Sequence, residues 1–176
     1  MKCQVLIDWL TFSVKEKDPR YVIQTYLGMD PDLFQDTGYS QFMGYSKVLR
    51  FSDIFVCSEV FQLLASDADS NVSRIDIACD DREGCLSMDQ IIVKTWANEI
   101  NSRMKRRDVH FSLEGTQQAG ATVYIGAASS DFRVRIYDKA LEQGVEGHWV
   151  RVEPVMRGKN SKSFVDHMIR APAKRL

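Results

Sequence analysis

The chain has 176 residues, 44% hydrophobic and 27% charged, with a formal net charge of −1. That length suits one domain able to bury a core without disulfide or metal staples. No run of eighteen apolar residues exists, which excludes a membrane-spanning helix of ordinary length. The apolar opening MKCQVLIDWLTFSV carries Asp8 and no small-residue cleavage site, so it reads as a first strand rather than a signal peptide. Cys3, Cys57, Cys79 and Cys85 form no CxxC pair and have no histidines at zinc spacing. Neither a disulfide framework nor a zinc site is indicated, and a cytoplasmic location is expected.

The small net charge hides an asymmetry. Residues 1–100 carry 9 Lys/Arg against 16 Asp/Glu, a net of −7, whereas residues 101–176 carry 14 against 8, a net of +6. A basic second half is compatible with a nucleic-acid face, because phosphate contacts supply most non-specific affinity. On charge alone, an ordinary solvated surface is the favoured reading.

In chain order, Gln4 to Val14 is rich in β-formers and reads as a strand. A short helix is predicted from Pro19 to Leu27, with Gly28 as its stop. From Tyr39 to Val56, β-rich runs on either side of Ser52-Asp53 read as a hairpin. Val60, Phe61, Leu63 and Leu64 predict a short amphipathic helix over Glu59 to Ala68. A strand from Val72 to Asp80 follows. Ser87 and Gln90 resemble a capping box opening a helix to Met104, with Ile91, Ile92, Thr95, Trp96 and Ile100 at helical spacing. After Lys105-Arg106-Arg107 come predicted strands Val109–Leu113, Thr122–Ile125, Phe132–Tyr137 and His148–Met156. Ser161 to Arg170 reads as a last basic helix. Trp9, Trp96 and Trp149 are taken as core. The pattern is α+β: a mostly antiparallel sheet with helices packed mainly on one face.

Side chains alternate along a strand, so parity sorts them. Ile75, Ile77 and Cys79 oppose Arg74, Asp76, Ala78 and Asp80. Val134 and Ile136 oppose Arg133, Arg135, Tyr137 and Lys139. Val150 and Val152 oppose Arg151 and Glu153. Three strands therefore each offer an apolar face and a face of ionisable groups. Asp76 and Asp80 lie roughly 13 Å apart on a regular strand, too far to share one ion, while a neighbouring strand about 4.8 Å away could bring Glu153 to either. Paired carboxylates with open positions suit Mg²⁺ or Mn²⁺. The same acids can simply pair with Arg74, Arg135 and Arg151. A tyrosine among cations is one of few side chains able to attack a phosphodiester and hold it covalently.

The segment GATVYIGAASSDFRVRIYDKALEQG, followed by WVRVEPVMRGK, resembles the signature of the replication initiation factor family. That family includes rolling-circle plasmid initiators, relaxases of integrative conjugative elements and filamentous-phage replication proteins. The matching pieces are Thr122 to Gly126, Ser130-Asp131, Arg135 to Lys139 with Glu142, and Trp149 to Glu153. Upstream, SRIDIACDD resembles the family's Arg-x-Asp-x-Ala-x-Asp-Asp element, and IDWLTFSV and GYSKVLRFSDIFV are similar to its opening strand and first hairpin. The resemblance implies an HUH-endonuclease-related fold. It also implies a metal-dependent nickase or relaxase of mobile elements, using one Mg²⁺ or Mn²⁺ on single-stranded or supercoiled origin DNA.

Carried over by motif, Tyr137 is the nucleophile and becomes joined to the 5′ phosphate. Arg135 and Lys139 are its phosphate-facing helpers. Asp76 and Glu153 are the metal ligands, with Asp80 an alternate. Arg74, Arg133, Arg151, Tyr124, Lys105, Arg106 and Arg107 are assigned to DNA, with Tyr124 also the competing tyrosine. The implied partners are origin DNA, a helicase and a second copy of the chain, with no membrane.

Two departures stand out. The family's Ser-Gly-x-Gly-Cys-Arg strand is missing after Val56, and many members continue well past the Trp-x-Arg-x-Glu strand. Ala127 and Ala128 also replace a serine and an arginine of the family's Tyr-Ile-Gly-Ser-Arg element. These features mark a shortened member, with a catalytic domain over 1–157 and a basic helical tail over 158–176. They also support a second reading, a non-catalytic DNA-binding or regulatory module on the same scaffold. A third reading is a nuclease that uses water, for which Asp76 and Glu153 matter and Tyr137 does not. His110, His148 and His167 are too scattered for a paired-histidine metal site.

Overall fold

The computed structural model describes residues 4–14, 35–36, 47–55, 71–114 and 117–170. Among the described residues there are eight strands: β1 (Gln4–Val14), β2 (Gln35–Asp36), β3 (Lys47–Phe55), β4 (Asn71–Asp81), β5 (Arg107–Glu114), β6 (Gln117–Ile125), β7 (Phe132–Asp138) and β8 (Val150–Arg157). The helices are α1 (Met88–Trp96), α2 (Lys139–Gln143) and α3 (Gly158–Arg170). The architecture is α+β, with antiparallel pairing of β1 with β3, β2 with β3, β5 with β6 and β6 with β7. The helices predicted over 19–27 and 59–68 lie outside the described residues, as does the stretch 37–46.

The chain forms two compact units, one of Met1–Val5 with Ile77–Val155, the other of Leu6–Asp76 with Met156–Leu176. In the second unit the strand order is β2-β3-β1-β4. Ile7, Leu10, Phe12 and Ile75 are fully buried there. Burying each such side chain contributes about 1.5–3 kcal/mol. α3 belongs to this unit: the Ser161 hydroxyl, itself fully buried, lies 2.8 Å from the Val72 carbonyl oxygen and 2.7 Å from that of Gly158. β3 runs without a break through Ser52 and Asp53, pairing residue by residue with β1. The predicted turn at Ser52-Asp53 is therefore absent. β-Branched and aromatic residues on both sides let the ladder continue through two polar residues.

In the first unit the order is β4-β8-β7-β6-β5. One face is apolar: Val123, Ile125, Ile136 and Val150 pack with Ile92 of α1, and Ile91, Ile100, Met104, Val134 and Val152 extend the cluster. The helix predicted to reach Met104 stops at Trp96. Asn98 adopts a left-handed φ of 58°. The Asn98 N–H then donates to the Thr95 carbonyl at 3.2 Å, and the Glu99 N–H to the Lys94 carbonyl at 2.8 Å. This is a Schellman stop with asparagine in place of the usual glycine. The predicted N-cap is present, Ser87 Oγ accepting from the Gln90 N–H at 3.4 Å.

Ending the helix there leaves Trp96 65% exposed, beside Phe111 at 6.0 Å between ring centroids, so it is not a core residue. Trp149 is half-buried instead, with the Arg82 guanidinium 3.6 Å from its ring centroid. Trp9 is also half-buried, under Arg74 at 4.8 Å.

Gly126 ends β6 with a φ of 105°, and a Cβ there would stand 2.9 Å from Met104 Sδ and 3.1 Å from both Arg133 Cβ and the Phe132 carbonyl oxygen. Gly126→Ala is expected to cost about 2–4 kcal/mol, combining left-handed strain with overpacking. Chemical denaturation of the two proteins side by side checks it, and a loss within experimental error would show that the turn relaxes freely.

Candidate active site

The register of β5, β6 and β7 lines up the polar face of the first unit in rows. Residues opposite one another in an antiparallel pair share a face. His110 lies opposite Thr122, and Thr122 opposite Tyr137; Asp108 lies opposite Tyr124, and Tyr124 opposite Arg135. Arg133 stands two residues before Arg135 on the same face. For β7 and β8 the parity holds, since Val134, Ile136, Val150 and Val152 join the apolar cluster that α1 covers. Lys139 departs from it: β7 ends at Asp138, whose carboxylate accepts from the Leu141 N–H at 2.8 Å and opens α2. Lys139 is therefore a first-turn helix residue.

Tyr137 is buried, and its hydroxyl donates to Glu153 Oε2 at 3.0 Å. Glu153 is fully buried, and its other oxygen, Oε1, accepts from Arg135 Nη2 in an ion pair. Lys139 Nζ lies 5.7 Å from the Tyr137 ring centroid and pairs with Glu142. A hydroxyl nucleophile, a carboxylate within hydrogen-bond reach and a third group fixing that carboxylate make the arrangement of an activated nucleophile.

Tyr124 has a different setting. It is half-buried, edge-on to His110 at 5.1 Å, with the Arg133 guanidinium 5.0 Å from its ring centroid. Among the described residues its hydroxyl has no carboxylate partner.

The carboxylates expected to hold a metal each carry a guanidinium. Arg151 Nε donates to Asp80 Oδ1 at 2.7 Å and Nη2 to Oδ2 at 2.9 Å, both residues being 2% exposed. Arg74 Nε donates to Asp76 Oδ1 at 2.9 Å, and Nη2 pairs with Oδ2. Glu153 has both oxygens engaged as described. Among the described residues no group of three His, Cys, Asp or Glu side chains is placed to hold a metal ion. In this arrangement each carboxylate oxygen of Asp76, Asp80 and Glu153 already accepts from a donor.

The residues assigned to DNA fall into two groups. Arg74 and Arg151 have their forks closed on Asp76 and Asp80, and Arg151 is turned inward. Arg133 Nε is buried with no hydrogen-bond partner among the described residues. Arg106 is exposed on the Tyr124 face, its Nε donating to Asp108 Oδ2 at 2.8 Å. Lys105 is exposed, and Arg107 faces the α1 side, opposite Ile125.

One side-chain cap escaped the sequence reading. Asp81 accepts from the Glu83 N–H at 3.0 Å, the Leu86 N–H at 2.7 Å and His148 Nε2 at 3.1 Å. Burial pushes its carboxyl up, but these donors and the Cys85 N–H outweigh burial and lower the pKa from 3.8 to about 2. The signal available was an aspartate two residues before a Glu-Gly turn, a common side-chain-to-backbone cap. A folded pKa below the unfolded one stabilises the fold above pH 3.8, and that stabilisation is lost as pH falls through about 2. Wild type is expected to lose melting temperature more steeply across that window than Asp81→Asn, which cannot titrate. Parallel melting curves would overturn the assignment.

The model of the replication initiation factor family matches residues 70–175, which include all of β4 to α3 and the Tyr137–Glu153–Arg135 group. The chain belongs to this family. The model of the rolling circle replication initiation protein N-terminal domain also matches, over residues 4–99. Among curated relatives, the NicK protein of Bacillus subtilis (strain 168), whose name assigns it as a DNA relaxase, is 25% identical over 108 residues. That match covers 56% of this chain and 31% of NicK, so the chain spans about a third of that relative's length. The structure of a rolling circle replication initiator protein from Geobacillus stearothermophilus superposes with a TM-score of 0.76 at 21% identity, covering 96% of this chain and 79% of that one. The fold is therefore that of the rolling-circle initiators, as the motif resemblance implied.

Proposed function

We propose that this protein nicks one strand of origin DNA by tyrosine transesterification. The observation that carries the reading is the hydrogen bond from the Tyr137 hydroxyl to buried Glu153, itself held by Arg135. Family membership and the fold shared with a rolling-circle initiator support the substrate class.

In the step proposed, the Tyr137 oxygen attacks the scissile phosphorus as its proton passes to Glu153 Oε2. The new bond is tyrosine O–P, and the bond broken is P–O3′. The strand is left as a 5′-phosphotyrosine adduct and a 3′ oxygen, which takes a proton and becomes a free hydroxyl. Arg133 and Lys139 offset the charge that develops on the phosphoryl oxygens, the term that usually dominates such catalysis. Arg135 acts through Glu153 and is a positioning residue. Tyr124, half-buried on the same face beside His110, is suited to stack on a base near the cut.

The test is a nicking assay on supercoiled and single-stranded DNA from the surrounding genetic element, with products run on a denaturing gel. The expected product is a protein–DNA adduct with a free 3′ end. Lanes with Mg²⁺, Mn²⁺ or chelator read the divalent-ion requirement that the family resemblance implies. Salt-sensitive binding with neither nick nor adduct would instead establish a regulatory module.

A further inference from the structure

The basic tripeptide Lys105-Arg106-Arg107 does not act as one patch. Arg106 belongs to the Tyr124 face, whereas Arg107 lies opposite Ile125, on the side of the sheet that α1 covers. There, between the turn after α1 and the start of β5, is a cavity of about 540 Å³. It is lined chiefly by Asn98, Asn101, Ser102, Lys105 and Arg107, with Glu99 its one acid. We propose that this cavity is a second phosphate site, on the sheet face away from Tyr137, that takes a phosphate ester.

Arg107 carries the argument. Its Nη2 donates to the Ile100 carbonyl at 2.8 Å and its Nη1 to Asn98 Oδ1, both neutral acceptors. Its Nε is buried and has no partner among the described residues. The guanidinium is therefore partly desolvated, and no described carboxylate forms an ion pair with it. A charge in that setting attracts an anion more strongly than one in bulk water does. Its two neutral bonds also hold the fork in place before any ligand arrives, which reduces the ordering cost of binding.

Lys105 adds a second cation, exposed and without an ion pair among the described residues. Ser102 Oγ accepts from the Met104 N–H at 3.1 Å, which leaves its own proton available to donate. Two cations against one acid, with neutral donors between them, suit a phosphate. The volume admits more than the bare ion. The ester could come from the backbone of flanking duplex DNA or from a free nucleotide, and both present the same chemistry to Arg107.

The burial that orphans the Arg107 Nε–H also shields it from exchange with water, so it serves as its own reporter. Its ¹H–¹⁵N cross-peak, assigned by its loss in Arg107→Lys, is followed while inorganic phosphate, dAMP or a short DNA duplex is added at constant ionic strength. A saturable shift with each is expected, with Lys105→Ala, an exposed substitution, weakening binding about five- to tenfold. Saturation by dAMP at least as readily as by duplex assigns the site to free nucleotide. Much tighter saturation by duplex, with a salt dependence reduced by about one ion in Lys105→Ala, assigns it to DNA backbone. Shifts that never saturate, or a titration unchanged by Lys105→Ala, would overturn the proposal. None of these readouts needs strand cleavage, so the site stands or falls apart from the nicking assay.

Discussion

Tyr137→Phe is expected to abolish the covalent protein–DNA adduct while leaving the fold in place. The substitution removes one oxygen, and with it the hydrogen bond to Glu153, at a cost of about 1 kcal/mol. Glu153→Gln keeps the shape but cannot take the proton, so single-turnover scission should slow by about 10²–10⁴-fold, the range for a lost general base. Because Gln also removes the carboxylate charge that half-buried Arg135 pairs with, that variant should melt lower than Tyr137→Phe, and the gel must be read against a thermal melt. Tyr124→Phe should retain the adduct. Scission that survives Tyr137→Phe without an adduct would assign the attack to water. An adduct that survives there and is lost in Tyr124→Phe would move the nucleophile to β6.

How far this site was legible depends on which step of the argument each residue needed. The alternation in FRVRIYD and WVRVEP was enough to put Arg133, Arg135, Tyr137, Arg151 and Glu153 on one side of their strands, since period two is intrinsic to an extended chain. Which charges meet was not legible, because pairing depends on the order β4-β8-β7-β6-β5 rather than on any local pattern. Asp76 and Glu153, read as metal ligands with Asp80 an alternate, lie against Arg74, Arg135 and Arg151, the pairing that the same sequence also allowed. Lys139 was misplaced by one element because Asp138 reads equally as the end of a strand and as a helix cap. Trp96 was assigned to the core because its spacing fits a helix continuing to Met104. Asn98 is a weaker stop signal than glycine, yet it was enough to end the helix and leave the ring outside. The family motifs reached Tyr137 and Glu153 together, but the hydrogen bond between them is a fact of three dimensions.

The second large effect belongs to the Asp80–Arg151 pair, and it separates a structural role from a catalytic one. Both side chains are 2% exposed and joined by two hydrogen bonds, so each ion replaces part of the solvation the other has lost. Asp80→Ala leaves a buried guanidinium without its anion and is expected to cost about 3–5 kcal/mol in chemical denaturation. Arg151→Met leaves the opposite charge and should cost a similar amount. The double variant Asp80→Leu with Arg151→Met replaces the pair by apolar volume and should recover most of the loss, because a buried ion pair often gains little over well-packed hydrophobic side chains. A strongly non-additive cycle is therefore the expected signature. If the double variant regains stability and still yields the Tyr137 adduct, Asp80 and Arg151 serve the sheet alone. If it regains stability but loses the adduct, one of them acts on the DNA or on an ion, and the pair is then a resting state that the substrate must open.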